Sequence, residues 1–170
     1  MGYNSATVRF GALTDTIPVR RLEKIWFSKG RDVPKGWGKE VHITNHIVLP
    51  GEQFPIGYSG KLLVYDRKGA VSSMHFHTVK HETFYILKGE FIVWYYDPDN
   101  ADIKHEITLE GDKVEIPPNN PHQVICKGNN GIIIEFASSD YAWDNYRIAK
   151  GDSQTKEIKR PCGCPTGKFE

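Results

Sequence analysis

The 170-residue sequence is short of several things, and each shortage removes a class of protein. Cysteine is scarce. Cys126, Cys162 and Cys164 are the whole complement, too few and too unevenly spaced for a disulfide framework, which favours a reducing compartment. Excess charge is also lacking: 22 Lys plus Arg face 21 Asp plus Glu, a formal net charge of +1. That balance provides no global attraction for nucleic acid or an anionic membrane. No apolar run approaches the roughly 20 residues of a membrane-spanning helix. The opening stretch MGYNSATVRFGAL lacks the basic-then-apolar layout of a secretory signal. The expectation is a cytoplasmic protein whose partner is a small molecule, with no nucleic acid and no membrane. Helical periodicity is almost missing, the one short candidate being Arg20 to Phe27, and neither a repeat nor an interdomain linker is visible.

What is present suits a single packed core: 39% hydrophobic, 12% aromatic and 25% charged residues. Runs of β-branched and aromatic residues recur at short intervals, each bounded by Gly, Pro, Asn or Asp. They predict strands near 40–48, 61–66, 71–77, 82–88, 90–96, 104–109, 113–116, 122–126 and 131–137. Turn signals at Arg67-Lys68-Gly69, Lys88-Gly89-Glu90 and Lys127 to Gly131, with a longer loop at Asp97-Pro98-Asp99-Asn100, punctuate them. The pattern is all-β, with the spacing of a sandwich or barrel. The barrel is expected over 40–137, with an N-terminal extension of short strands or helix over 1–39 and a C-terminal extension over 138–170. That last part ends in an irregular polar tail from Gly151.

One segment carries chemistry. Along a strand successive side chains alternate faces, so His75 and His77 project to the same side and can share a metal, while Met74 and Phe76 point the other way. Glu82 opens the next strand and can add a carboxylate oxygen beside the two imidazoles, a facial set that suits a divalent transition metal with open positions. His122, after the turn Pro117-Pro118-Asn119-Asn120-Pro121, opens a later strand and offers a fourth ligand. Of the remaining histidines, His81 is expected to face away from this set, and His42, His46 and His105 lie outside it.

These residues resemble the cupin superfamily. Its first motif is a glycine, five residues, His-x-His, three or four residues, a glutamate, six residues and a glycine, and it is met at Gly69, His75, His77, Glu82 and Gly89. The second motif is met at Gly111, Pro117 and His122. It departs at Asn119, where a turn glycine is usual, and at Cys126, where an asparagine is usual. Asparagine tolerates the left-handed conformation better than most residues. The resemblance implies a double-stranded β-helix, or jelly-roll barrel. It also implies a site of His75, His77, Glu82 and His122 for Mn, Fe, Ni, Co or Zn, and a homodimer.

The motifs do not choose the reaction, because one barrel hosts many chemistries. Lys24-Ile25-Trp26, Gly36 to Glu40, Asn45-His46, Tyr58 to Val64 and Asp144 to Arg147 look similar to small stand-alone cupins related to mannose-6-phosphate isomerase and sugar-nucleotide enzymes. That similarity implies aldose–ketose isomerisation of a sugar or sugar phosphate. Glu82 is the first candidate base and Glu135 the second, against the plainer reading of Glu135 as a solvent-facing strand residue. Lys61 and Arg147 are the candidate cations for a substrate oxyanion, with Lys80 and Lys88 also available, and Arg147 leads. Tyr85 is the candidate for stacking on a sugar ring; Tyr65, Trp94 and Tyr96 are alternatives that also suit a core or interface. Two other readings stay open: an Fe(II) dioxygenase with an apolar pocket of Phe84, Ile116 and Ile134, and a non-catalytic barrel that binds a sugar or small acid. Cys162 and Cys164, in Cys-x-Cys spacing without partner ligands, are expected to be incidental.

Overall fold

A computed structural model describes residues 28–47 and 57–155, together with the backbone of two earlier strands. The helix expected at Arg20 to Phe27, the segment Lys24-Ile25-Trp26, and Cys162 and Cys164 lie outside the described residues. In chain order the strands are β1 (Ser5–Phe10), β2 (Leu13–Pro18), β3 (Arg31–Lys35), β4 (Gly38–His46), β5 (Tyr58–Tyr65), β6 (Met74–Phe76) and β7 (Glu82–Lys88). They continue with β8 (Phe91–Asp97), β9 (Asp102–Thr108), β10 (Lys113–Ile116), β11 (His122–Cys126), β12 (Gly131–Ala137) and β13 (Tyr146–Ala149), and a four-residue helix α1 (Asp152–Thr155) follows. Among the described residues no helix is long and apolar enough to cross a membrane.

The nine expected strands are all found, with ends displaced by a few residues. The expected strand 71–77 is shorter, reduced to β6 plus an isolated bridge from Val71 to Ile125. β3 is a short strand of the kind expected in the N-terminal extension. Two features were not anticipated: β13 forms in the C-terminal extension, and α1 stands where an irregular tail was expected. The tail is tied down there: Asp152 accepts a hydrogen bond from Arg67 Nη2, and its backbone N–H donates to Val71 O at 3.0 Å.

β1 and β2 pair with each other; the other strands make two antiparallel sheets. One has the order β10-β7-β12-β5-β4-β3, the other β13-β6-β11-β8-β9. Consecutive strands repeatedly sit in opposite sheets, which is the winding of a double-stranded β-helix. The motif glycines Gly69 and Gly89 take φ of 73° and 94°, a region that penalises any Cβ. Asn119, in the place of the usual turn glycine, is itself left-handed with φ 65°.

Alternation along each strand decides what enters the barrel. In β7 the inward set is Glu82, Phe84 and Ile86; in β12 it is Glu135, Ile133 and Gly131; in β5 Lys61, Leu63 and Tyr65; in β11 His122, Val124 and Cys126. Each series runs from a polar residue to apolar ones, and the strand registers align the polar members with one another: Lys61 with Glu135, and His122 with His75. The interior is therefore layered, with charge and imidazole at one end and a hydrophobic floor at the other. The floor centres on Phe91, which is fully buried and meets Tyr65 edge-on at 5.2 Å, while Tyr65 stacks on Trp37 at 4.5 Å. Gly131 faces that ring so closely that a Cβ there would lie 2.4 Å from Phe91 Cζ.

The turn that joins β6 to β7 is held from outside by Asp144, which is fully buried. Its carboxylate accepts four hydrogen bonds: from Thr78 N–H at 2.6 Å, Thr78 Oγ1 at 2.7 Å, Val79 N–H at 3.1 Å and Lys80 N–H at 3.0 Å. Burial alone would raise the carboxyl's pKa, but these donors outweigh it and hold it below the ordinary aspartate value.

Phe91→Ala should destabilise the barrel by about 3–5 kcal/mol, measured by urea unfolding, because the ring is removed from a closed floor that cannot collapse around the gap. Asp144→Asn places an amide NH₂ against backbone donors and should cost about 1–3 kcal/mol at pH 7. The wild-type advantage requires the ionised carboxylate, whose folded pKa is depressed, so it is complete above the unfolded carboxyl value and is lost as pH falls through the folded one. The melting-temperature gap between the two proteins should accordingly be full near neutrality and close on acidification.

Candidate functional site

His75, on β6, lies directly opposite His122, on β11, and their ring centroids are 4.6 Å apart. His77 follows two residues after His75 and its ring lies 5.2 Å away. Glu82, first residue of β7 in the facing sheet, brings its carboxylate to the two buried rings: Oε2 is 3.2 Å from His122 Nε2, and Oε1 is 3.7 Å from His77 Nε2. The four residues that the sequence picked out as ligands are thus gathered at one place.

Three backbone carbonyls set the imidazole tautomers. His75 Nδ1 donates to Ser73 O at 2.9 Å, His122 Nδ1 to Asn120 O at 3.1 Å, and His77 Nδ1 to Asp144 O. A carbonyl only accepts, so each Nδ1 carries a proton and each Nε2 is turned toward the cavity side of its ring. Burial, reinforced by the neighbouring His122, pushes the His75 pKa down to about 3, so this ring is neutral across the physiological range. Burial would raise the Glu82 pKa, yet His122 and Lys80 beside it hold it well below the usual carboxylate range. Three imidazoles and one carboxylate result.

Among the described residues, no group of three or more His, Cys, Asp or Glu side chains is arranged to hold a metal ion as it stands. The donor chemistry of the set still fits one. Glu82 Oε2 and His122 Nε2 are buried, face each other and make no hydrogen bond, which is costly unless something between them satisfies both.

Beside the histidines lies a run of alternating charge that the sequence did not announce. Lys80 Nζ is 2.8 Å from Glu82 Oε1 and 2.6 Å from Glu135 Oε1; Lys61 Nζ is 3.6 Å from Glu135 Oε1 and also bonds Asp140. Burial would lower both lysine pKa values, but Glu135 first among the surrounding carboxylates holds both above the ordinary value. These groups and the histidines line a cavity of about 120 Å³, with Arg147, Asn145, Lys35 and Glu40 also contributing to its wall. Lys35 is occupied by Glu40 at 2.9 Å. Arg147, on β13 opposite His75, is exposed and has no acidic partner among the described residues.

The placements correct several expectations. Glu135 is not solvent-facing: it is 4% exposed and points inward between two lysines. Lys61 does line the cavity but is already tied to carboxylates. Tyr85 is on the opposite face of β7 from Glu82, 39% exposed and outside the cavity; its parity with Glu82 in one strand was the signal. Ile134 likewise faces outward and Ile116 lines a different cavity, so with Phe84 they do not form an apolar pocket around the histidines. Tyr65 is core; Trp94 and Tyr96 lie away from the cavity, and Lys88 is exposed. His81 is exposed, His42 bonds Glu40 at 2.7 Å, His46 stacks on Tyr58 and His105 on Trp94.

Residues 62–134 match the family Cupin_2, described as Cupin domain. No curated protein matches the sequence. Among solved structures the chain is similar to the capsular polysaccharide assembling protein CapF from Staphylococcus aureus, at 15% identity and a TM-score of 0.57, over 72% of this chain and 35% of that one. It is also similar to oxalate decarboxylase from Bacillus subtilis, at 13% identity and a TM-score of 0.58, over 70% of this chain and 30% of that one. A further structure of that decarboxylase concerns its Mn(II) centres. The chain spans about a third of the length of these neighbours, and at such identities the likeness is one of fold. The match and the observed winding agree on the fold: residues 62–134 match the cupin domain model, and the barrel is a double-stranded β-helix.

Proposed function

We propose that this chain is a metal-dependent enzyme acting on a small, hydroxylated, anionic substrate, by aldose–ketose isomerisation. The observation that carries the reading is the pair of buried, hydrogen-bond-free atoms Glu82 Oε2 and His122 Nε2 among three imidazoles whose other nitrogens are all occupied by carbonyls. His75, His77, His122 and Glu82 would hold a divalent transition metal. Bound there, such an ion supplies polarisation of a substrate carbonyl and its neighbouring hydroxyl.

The rest falls to the chain's own side chains. Arg147 at the cavity wall, without an acidic partner among the described residues, would take a substrate oxyanion, and its planar fork suits a carboxylate or phosphate. The cavity, close in size to one of about 150 Å³ that accommodates benzene, admits only the reacting end of a sugar. Glu82, strongly anionic and bonded to Lys80, serves as a ligand. Proton transfer between adjacent carbons is assigned to the Glu135 carboxylate, which faces the same cavity. The lysines keep that carboxylate in place and exclude water from its side. Polar walls favour this chemistry over the dioxygenase reading, whose apolar lining is not assembled. One structural neighbour is named for polysaccharide assembly and the other for oxalate, both oxygen-rich compounds.

Elemental analysis should find about one divalent transition metal per wild-type chain and little in His75→Ala/His77→Ala. Chelation should lower the melting temperature of the wild type alone, since a ligand that binds only the folded form stabilises it. Full metal content in the double variant would refute the ligand set. The Mn-, Ni- and Fe-loaded protein, given a panel of aldoses and aldose phosphates, should form ketose without consuming oxygen. Glu135→Gln should then lower kcat by about 10²–10⁴-fold, and Arg147→Met should chiefly raise KM for phosphorylated substrates. Oxygen loss would favour the dioxygenase; ligand binding without either signal would make this a non-catalytic binding barrel.

A further inference from the structure

Lys80 touches both the candidate ligand set and the proton-transfer carboxylate, so its charge bears on more than the placement of Glu135. Its side chain is 2% exposed. Its Nζ lies 2.8 Å from Glu82 Oε1, 2.6 Å from Glu135 Oε1 and 3.6 Å from Asp140 Oδ1. Its backbone is fixed as well, through the N–H bond to Asp144 Oδ2 at 3.0 Å. This ammonium is anchored at both ends and faces three carboxylates.

The position has two consequences of opposite sign. Without Lys80, the carboxylates of Glu82, Glu135 and Asp140 would share the polar end of the barrel with Lys61 as the nearest cation, and buried like charge of that kind is strongly unfavourable. Lys80 therefore stabilises the barrel when no ion is bound. A divalent ion at the histidines, however, would meet a resident positive charge one carboxylate away, and a glutamate with Oε1 already engaged and only Oε2 to offer. In an interior of low effective dielectric such repulsion is large. We propose that Lys80 is a built-in counter-cation of the His75, His77, Glu82 and His122 centre: it replaces part of the ion's charge when the ion is away and weakens the ion's binding when it arrives. The inference rests on the reading of those four residues as metal ligands.

A lysine with a merely structural role predicts the reverse sign, because its loss would loosen the site and weaken metal binding. The test uses the full chain, stripped of metal by chelation and dialysis. Affinity for Mn²⁺, Co²⁺ and Zn²⁺ is measured by competition with a chelating dye, and the metal-free melting temperature is recorded. Lys80→Gln keeps N–H donors but no charge, Lys80→Met keeps neither, Lys61→Met removes a cation that does not touch Glu82, and His77→Ala tests the ligand set. Both Lys80 variants should bind metal about tenfold tighter or more, melt below wild type when metal-free, and recover most of that loss at saturating metal. Lys61→Met should move the affinity less. If Lys80→Met fails to fold, Lys80→Gln reads the charge alone. Unchanged or weaker affinity in Lys80→Gln, with His77→Ala deprived of metal, would overturn the counter-cation and leave the ligand assignment standing. Undiminished binding in His77→Ala, or no binding in any of the proteins, would overturn the ligand assignment and the inference together.

Discussion

Charge inside a β-barrel has to be matched where it sits, and this requirement organises the polar half of the molecule. Glu82, Lys80, Glu135, Lys61 and Asp140 form one alternating series, joined by contacts of 2.6–3.6 Å and by the Lys61–Asp140 ion pair. Its members come from β7, the turn before it, β12, β5 and the loop after β12. Deleting any one strands its neighbours in a low-dielectric interior, so the series acts as a unit and ties the central strands of one sheet to the loops that border the cavity. The pairing also sets what remains available to a ligand. Lysines saturated by carboxylates are poorly placed to hold a further anion.

The histidines obey a different rule. Each is turned by a backbone carbonyl rather than by a carboxylate, and His75 is held neutral by burial. Asp144 connects the two systems. Its carbonyl orients His77, while its carboxylate gathers the N–H groups of residues 78–80 and so places Lys80. One buried aspartate between β12 and β13 thus positions a candidate ligand and the cation next to it, and a disturbance there would reach both.

Much of this was legible because the informative residues are local in sequence. His75, His77 and Glu82 lie within one hairpin-like unit, strand alternation aligns the two histidines, and the glycine punctuation marks where the chain must turn. The fold class followed from strand spacing for the same reason. Glu135 was not legible, since its neighbours Ile134 and Phe136 are as apolar as a core. A strand apolar on both faces hides its parity, and the direction of Glu135 emerges only from pairing with Lys61. Tyr85 shows the opposite failure: counting from Glu82 in the same strand puts it on the outer face, and chemical suitability for sugar stacking obscured that count. That Asp144 to Arg147 leads into a strand and that Asp144 anchors a turn could not be read, because short polar stretches give no periodic signal and their partners are more than sixty residues away.

The layering of the interior explains how a barrel can carry so much buried charge and remain a barrel. In four successive inward series a polar residue is followed, two positions along the strand, by a hydrophobic one and then by the floor around Phe91 and Tyr65. The floor supplies closure through apolar burial and tight ring packing, which are indifferent to ionisation. The polar end can then be selected for chemistry, with unsatisfied atoms and opposed charges that would be intolerable at the centre of a uniform core. Because the two ends share every strand but no side chain, a substitution in the floor should act on stability with little effect on the charged series. A substitution among the charges should be felt first in the site.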